Sequence, residues 1–142
     1  MADIVQTAAN VALGGSSTPQ EVVQFGEAIT QGQPLYQSTD GKYYRCDAND
    51  GLAKAACKAI ALTPGATDGY GLVAKPATTP GRSLVNLGAT LVVGEVYAVS
   101  ATVGRICPIA DLTTTQFVTV IGIAVSASLL DFQVAIGTTA KA

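Results

Sequence analysis

The sequence predicts an all-β protein, a small barrel or sandwich built from two tandem homologous β half-units with an extended N-terminal arm. The first observation is an internal repeat, in which residues 26–74 align with residues 88–136 at an offset of 62 and then 63 positions. The second is that the matched positions are mainly glycines and apolar residues, which turns and strand cores require. The third is a series of short apolar runs between glycine-containing turns, roughly 8–12 residues apart, which is typical of barrels and sandwiches.

The repeat divides the chain into an arm and two half-units. Residues 1–24 lie outside both copies and are rich in small residues. We interpret them as a flexible N-terminal arm that becomes ordered against a partner, with a disordered tail as the alternative. Residues 25–142 are predicted to form the β domain. Its half-repeats are residues 25–74 and 87–136, joined by a proline-containing hinge over residues 75–86.

Each copy is expected to contain the same short strands. In the first copy they are predicted near residues 21–25, 35–38, 43–46 and 70–74. The Asp40-Gly41 pair predicts a hairpin between the second and third of these strands. The same hairpin recurs in the second copy, between residues 96–99 and 105–107, with a turn that is one residue longer. The apolar stretch 59–62 aligns with residues 122–125, including Ile60 with Ile123.

Residues 49–62 are ambiguous. Residues 52–58 contain good helix formers, and Asp50 is a candidate N-cap. The matching residues 112–120 are rich in threonine and predict a strand. Because the two copies should share a topology, we expect a strand over residues 54–62, preceded by a short helical turn.

Low charge is the main compositional feature. Charged residues make up 13% of the chain, about half of the usual share near 25%. The net charge is −2 and the basic residues are scattered, so we expect no nucleic-acid partner. Residues 118–130 form the longest apolar run, which is too short to span a bilayer, so no membrane partner is expected. Such a surface suits a protein covered by partners; an extracellular Thr/Ala/Gly-rich β domain is the alternative.

One residue type that is central to enzyme chemistry is missing from the sequence. The chain has no histidine, which removes the commonest general base and most zinc sites. Cys46, Cys57 and Cys107 cannot all pair within one chain, and we expect reduced thiols in a protein made in a reducing cytoplasm.

Carboxylates are the remaining candidates for a chemical site. Asp47 could pair with Asp50 or with Asp111, and residues 47–51 resemble a fragment of a calcium loop. That segment lacks the glutamate that closes an EF-hand loop, so an Asx-rich turn is preferred. We predict no catalytic, cofactor-binding or metal-binding residues, and no enzyme activity.

The repeat consensus resembles a known family. It reads G-x-A-I-x-x-G-Q-x-(L/V)-Y, then D-G-K, then A-D, then a G-I-A-(L/V) strand. Residues 26–47 and 59–62 resemble the capsid cement, or head decoration, proteins of tailed bacteriophages. Residues 88–111 and 122–125 resemble them more loosely, and the resemblance covers about residues 22–136.

This resemblance implies a structural role on the virion. Proteins of this family bind the outer surface of the expanded phage head and stabilise it against the pressure of packaged DNA. The implied partners are the major capsid protein and the protein itself, with a trimer favoured over a dimer, and no cofactor. The protein would be made in the bacterial host cytoplasm and located on the outer capsid surface.

The candidate partner-binding residues lie in the arm. Ile4, Val5, Val11 and Leu13 are apolar, and an arm of this kind can add a strand to a coat-protein edge or fill a groove. The alternative function is a glycan- or cell-surface-binding β module of a phage fibre or adhesin. For that function the five tyrosines would supply a sugar-stacking surface, although tyrosines on strands are more often half-buried core or rim residues.

Overall fold

The computed structural model describes residues 3–15, 18–77 and 82–141. These residues form a sandwich of two antiparallel sheets, one of six strands and one of five. The predicted all-β class is confirmed. Of the two architectures expected, the sandwich is observed, because neither sheet closes into a barrel.

The strands are short, with one exception at the C-terminal end. They are β1 (Val11–Leu13), β2 (Gln20–Gln24), β3 (Pro34–Gln37), β4 (Tyr43–Arg45), β5 (Ala59–Ala61), β6 (Tyr70–Ala74), β7 (Leu84–Leu87), β8 (Val96–Val99), β9 (Ile106–Pro108), β10 (Phe117–Ala124) and β11 (Leu129–Ala140). The helical elements are α1 (Leu52–Ala55) and two 3₁₀ turns, Ala8–Asn10 and Ile109–Asp111.

The two sheets share one strand order. The five-stranded sheet runs β2-β6-β5-β3-β4, and the six-stranded sheet runs β7-β11-β10-β8-β9 with β1 added beside β7. Each strand of the five-stranded sheet corresponds to the strand five places later in the chain: β2 to β7, β6 to β11, β5 to β10, β3 to β8 and β4 to β9. One sheet is therefore built from strands β2–β6 and the other from β7–β11, with the same connections.

Matched glycines occupy matched backbone conformations. Gly32 and Gly94, 62 positions apart, have φ of 88° and 85°. Gly41 and Gly104, 63 positions apart, have φ of 83° and 72°. An L-residue with a Cβ adopts this region only at a cost, which explains why glycine recurs at these turns.

The last part of the predicted alignment is wrong. An offset of 63 positions aligns Asp68 with Asp131, but Asp68 lies in a loop with φ of 65°, whereas Asp131 lies within β11. The cause is a difference in loop length, because residues 62–69 connect β5 to β6 whereas residues 125–128 connect β10 to β11.

The segment expected to be a separate arm contributes to both sheets. β1 pairs with β7, placing Val11 opposite Leu87, and β2 pairs with β6 along its whole length. Gln6 also joins the two copies, since its Nε2 donates to the carbonyl oxygens of Gly32 (3.0 Å) and Leu87 (2.9 Å). The expected boundary at residue 24 is therefore corrected: β2 already belongs to the sandwich. The predicted hinge likewise overlaps β7, and its residues 78–81 lie outside the described ranges.

The first sheet buries both of its faces. Ile60 and Ala74 lie in the large core between the sheets, which also contains β-strand residues of the second copy such as Phe132. Ala61 and Val73, their neighbours along the strands, lie in a separate core. Successive strand residues point to opposite faces, so the second core covers the side of the sheet away from the sandwich interface.

The ambiguous stretch contains a helical turn followed by a strand, as expected, but the strand is shorter. The turn takes residues Leu52–Ala55, including Lys54, whose Nζ donates to Asp50 at 2.6 Å. The strand therefore begins at Ala59 rather than at residue 54. In the second copy the 3₁₀ turn Ile109–Asp111 precedes the matching strand, which begins at Phe117 rather than at residue 112.

Candidate partner-binding surface

The four predicted arm residues do not form one exposed surface. Val11 is buried in the large core, where its side chain lies against the backbones of Gly32 and Gly88. Ile4 and Leu13 are partly buried and pack against the same core. Val5 is the member of the four that remains available to a partner, with 80% of its surface exposed. The prediction of Val11 as a partner-binding residue is corrected, because its side chain is used inside the chain.

A cluster of exposed apolar side chains lies in the second copy. It consists of Val92 and Val93, which are 66% and 64% exposed, and Ile123 and Val125, which are 48% and 38% exposed. We call these four residues the apolar corner. Burial drives aliphatic side chains out of water, so a group of this kind marks a surface that another molecule can cover.

Backbone hydrogen bonds bring the two parts of the apolar corner together. Leu91 N–H donates to the Ala127 carbonyl at 2.7 Å, and Gly94 N–H donates to the Ala124 carbonyl at 2.9 Å. The segment 91–94 therefore runs beside residues 124–127, which places Val92 and Val93 next to Val125. Glycine at position 94 permits this turn, because its φ is 85°.

The first copy makes the same turn with polar side chains. Gly32 N–H donates to the Ala61 carbonyl at 2.8 Å, just as Gly94 N–H donates to the carbonyl of Ala124, the residue matched with Ala61. Thr30 and Gln31 occupy the positions of Val92 and Val93, and the Gln31 side chain donates to the Leu62 carbonyl at 3.0 Å. The apolar pair is thus not a requirement of the turn.

A groove lies beside Val5. It has a volume of about 460 Å³, and Val5, Asn86, Thr90 and Ser128 are among the residues that line it. Thr90 is two residues from Val92, and Ser128 follows Ala127, whose carbonyl accepts the Leu91 N–H. The groove therefore approaches the apolar corner through neutral polar residues, but none of the four corner residues lines it.

Of the three carboxylates expected to be candidates for a chemical site, Asp47 and Asp50 are used in local structure, whereas Asp111 Oδ2 is buried without a hydrogen-bond partner among the described residues. Asp47 Oδ1 accepts the Asn49 N–H at 2.8 Å, which is the Asx turn preferred from the sequence. Asp50 forms an i,i+4 ion pair with Lys54. No group of three or more histidine, cysteine, aspartate or glutamate residues within the described ranges could hold a metal ion.

The three cysteines are buried free thiols. Burial raises the pKa of the Cys46 thiol well above its usual value, with a further contribution from its contact with Cys57. Burial, followed by the nearby Asp3 and Asp111, raises the pKa of Cys107 to about 11. Since the thiolate is the reactive form, these side chains are poor nucleophiles at neutral pH.

The tyrosines differ in exposure: Tyr70 is 69% exposed, whereas Tyr36 and Tyr44 are half-buried. Tyr43 and Tyr97 are buried core residues. Tyr36 and Tyr44 face each other across β3 and β4, with ring centroids 5.8 Å apart and planes inclined by 25°. The Tyr44 hydroxyl donates to Asp40 at 2.6 Å, which lowers the pKa of the Asp40 carboxyl and raises that of Tyr44. A half-buried aromatic pair beside an aspartate is therefore present, in which Tyr36 also packs against the large core.

Sequence reasoning missed the apolar corner. A usable signal was present in the repeat, since Val92 and Val93 align with Thr30 and Gln31 in a turn, where apolar residues are unusual.

No family model, curated protein or solved structure matches this chain. No helix in the described part of the chain has the length and apolar character that crossing a membrane requires.

Proposed function

We propose that this protein is a structural capsid decoration protein, which binds the outer surface of the expanded phage head and stabilises it. The observation that carries this proposal is the apolar corner, whose four aliphatic side chains are between 38% and 66% exposed. Exposed aliphatic side chains suit contact with a folded protein surface better than binding of a small charged ligand.

The linkage between binding and head stability gives this surface a function. A protein that binds the expanded head and not the unexpanded head stabilises the expanded state by the free energy of binding. Each valine or isoleucine side chain that is fully covered contributes about 1.5–3 kcal/mol before ordering costs are subtracted. Several copies acting together would increase the effective affinity without new contacts.

Co-sedimentation tests this proposal. Purified protein is mixed with expanded, undecorated heads of the phage that encodes it, and with unexpanded proheads as control. We expect saturable binding to expanded heads alone, with a rise in their thermal stability. Absence of binding to either particle, or equal binding to both, would contradict the proposal.

The stacked tyrosines favour a second candidate function, a glycan-binding module. Aromatic rings with a neighbouring carboxylate are suited to the apolar faces and hydroxyl groups of sugars, and Tyr36, Tyr44 and Asp40 provide this combination. A glycan array with the wild-type protein and Tyr44→Ala decides this point. Glycan binding by the wild-type protein that is lost in Tyr44→Ala would support a glycan-binding module. Absence of glycan binding by both proteins would contradict this second function.

A further inference from the structure

Strand β11 extends well beyond the strand that pairs with one of its sides. β11 covers Leu129–Ala140, but β7 pairs only with Leu129–Asp131. The last hydrogen bonds on that side join Phe132 to Ser83 (2.7 Å) and to Ala77 (3.1 Å). On the other side β10 continues to pair with β11 as far as Ala140. Among the described residues, positions 133–140 therefore have a strand neighbour on one side only.

The sequence of this edge lacks the charged residues and prolines that usually protect one. Residues 133–140 read Gln-Val-Ala-Ile-Gly-Thr-Thr-Ala, with no charged residue and no proline. Ile136 is 45% exposed, and Ala135 and Thr138 are also exposed. Register shifts in the β10–β11 pairing bend this hairpin, and β7 does not pair with the part of β11 beyond Asp131. Open edges in natural sheets usually carry charge or proline, because unpaired backbone groups recruit further strands.

The other sheet edges differ from this one. The β9 edge is covered by the arm, since Ile4 N–H donates to the Ile106 carbonyl at 2.9 Å. The β2 edge carries Glu21, and the β4 edge carries Arg45 with its ion pair to Glu27. β1 has only three residues. The edge at residues 133–140 is thus the long uncharged edge in the described part of the chain.

We infer that residues 133–140 pair with the same residues of a second copy of this chain, antiparallel and about a two-fold axis. When the two-fold axis is perpendicular to the sheet, paired residues of the two copies must have side chains on the same face. Because side chains alternate between the faces along a strand, this is possible only if one residue pairs with the same residue of the other copy. With Ile136 at that position, Gln133 faces Thr139 and Val134 faces Thr138, so the ladder contains no charged pair.

The charged residues that flank this ladder already have partners within the chain. Asp131 forms an ion pair with Arg82 at 3.6 Å, and Lys141 Nζ donates to the Leu112 carbonyl at 2.7 Å. A second copy therefore meets the requirement for backbone pairing without bringing like charges together in the ladder. The two sheets join into one continuous sheet through the contact. This inference does not rest on the capsid role.

Sedimentation equilibrium of charge-swapped variants tests the contact. We expect the wild-type chain to form a dimer, and Ile136→Lys and Ile136→Glu each to weaken dimerisation at least about tenfold, because like charges then face each other. An equimolar mixture of the two variants should recover dimers, now as heterodimers. Val103→Lys, a change at another exposed valine in the β8–β9 turn, should leave dimerisation unchanged.

Hydrogen exchange provides a readout that does not depend on a variant. Amides of residues 133–140 should exchange more slowly in the wild-type dimer than in dilute monomer, while those of β2 should not change. A wild-type chain that stays monomeric, a trimer, or an oligomer unaffected by both Ile136 substitutions would overturn the inference. Head binding by such a protein would leave the capsid proposal standing, so the two failures are distinguishable.

Discussion

Ile60 and Ile123 are matched positions of the repeat with opposite environments. Each pairs with the matched strand of its own copy, Ile60 with Pro34 and Ile123 with Val96. Ile60 is fully buried between the sheets, whereas Ile123 is half exposed. Leu62 and Val125 differ in the same way, with exposures of 7% and 38%. The same face of the same small sheet is thus an internal interface in one copy and an outer surface in the other.

The difference shows how a duplicated sheet can divide its functions. The first copy uses this face to hold the chain together, and its second face is closed by a separate core. The second copy closes only its inner face and keeps isoleucine and valine on the outer one. Solvent contact alone does not favour aliphatic side chains there, so their presence supports a role in binding.

The largest expected effect is on stability, and it separates Ile60 from Ile123. Ile60→Ala should lower the free energy of unfolding by about 2–5 kcal/mol, because it leaves a cavity in the core. Ile123→Ala should change it by no more than about 0.5 kcal/mol, because the side chain is already hydrated. Urea unfolding followed by circular dichroism measures both values. Similar losses in the two variants would show that the outer face is as tightly packed as the inner one.

A second pair of variants tests the segment expected to be an arm. Val11→Ala should reduce stability by up to about 1.5–3 kcal/mol, since Val11 is buried against both copies. Val5→Ala serves as the control, with an expected change within about 0.5 kcal/mol. Thermal unfolding gives the comparison. If Val11→Ala lowered the stability no more than Val5→Ala, residues 1–24 would behave as an arm separate from the β domain.

Matched glycines give a smaller difference. Gly94→Ala should cost about 1–2 kcal/mol, because it forces a left-handed conformation on a residue with a Cβ and meets no neighbouring atom. Gly32→Ala should cost more, since its Cβ would lie 2.6 Å from Gln6 Nε2 and 2.9 Å from a Val11 methyl group. Chemical denaturation of both variants checks the order, and equal losses would mean that Gln6 and Val11 move aside freely.

The smallest expected effect concerns the thiols: it is a change in the rate of thiol labelling and in the pH dependence of stability. Native Cys107 should react with a thiol reagent far more slowly than in urea at pH 8, since its pKa is raised to about 11. Because the folded pKa lies above the usual value of 9.0, this group's contribution to stability is complete below pH 9 and decreases as the pH rises toward 11. Rapid labelling of the native protein would contradict this description.

Local patterns in the sequence were sufficient to predict the all-β class, the hairpin at Asp40-Gly41 and the turns at the matched glycines. They were not sufficient for β1, because three residues pair with β7 more than seventy positions later and carry no periodic signal of their own. They were also insufficient for the apolar corner. Ile60 and Ile123 are identical residues in matched strands, and only the packing of the two sheets determines which of them is buried.

The most direct test of the central claim compares matched turns of the two copies in binding to expanded heads. Val92→Ser/Val93→Ser changes the apolar corner, and Thr30→Ser/Gln31→Ser changes the equivalent turn of the first copy. We predict that the first double variant binds at least about tenfold more weakly than wild type, while the second binds as wild type does. Equal binding by both double variants would contradict the assignment of the apolar corner as the partner-binding surface.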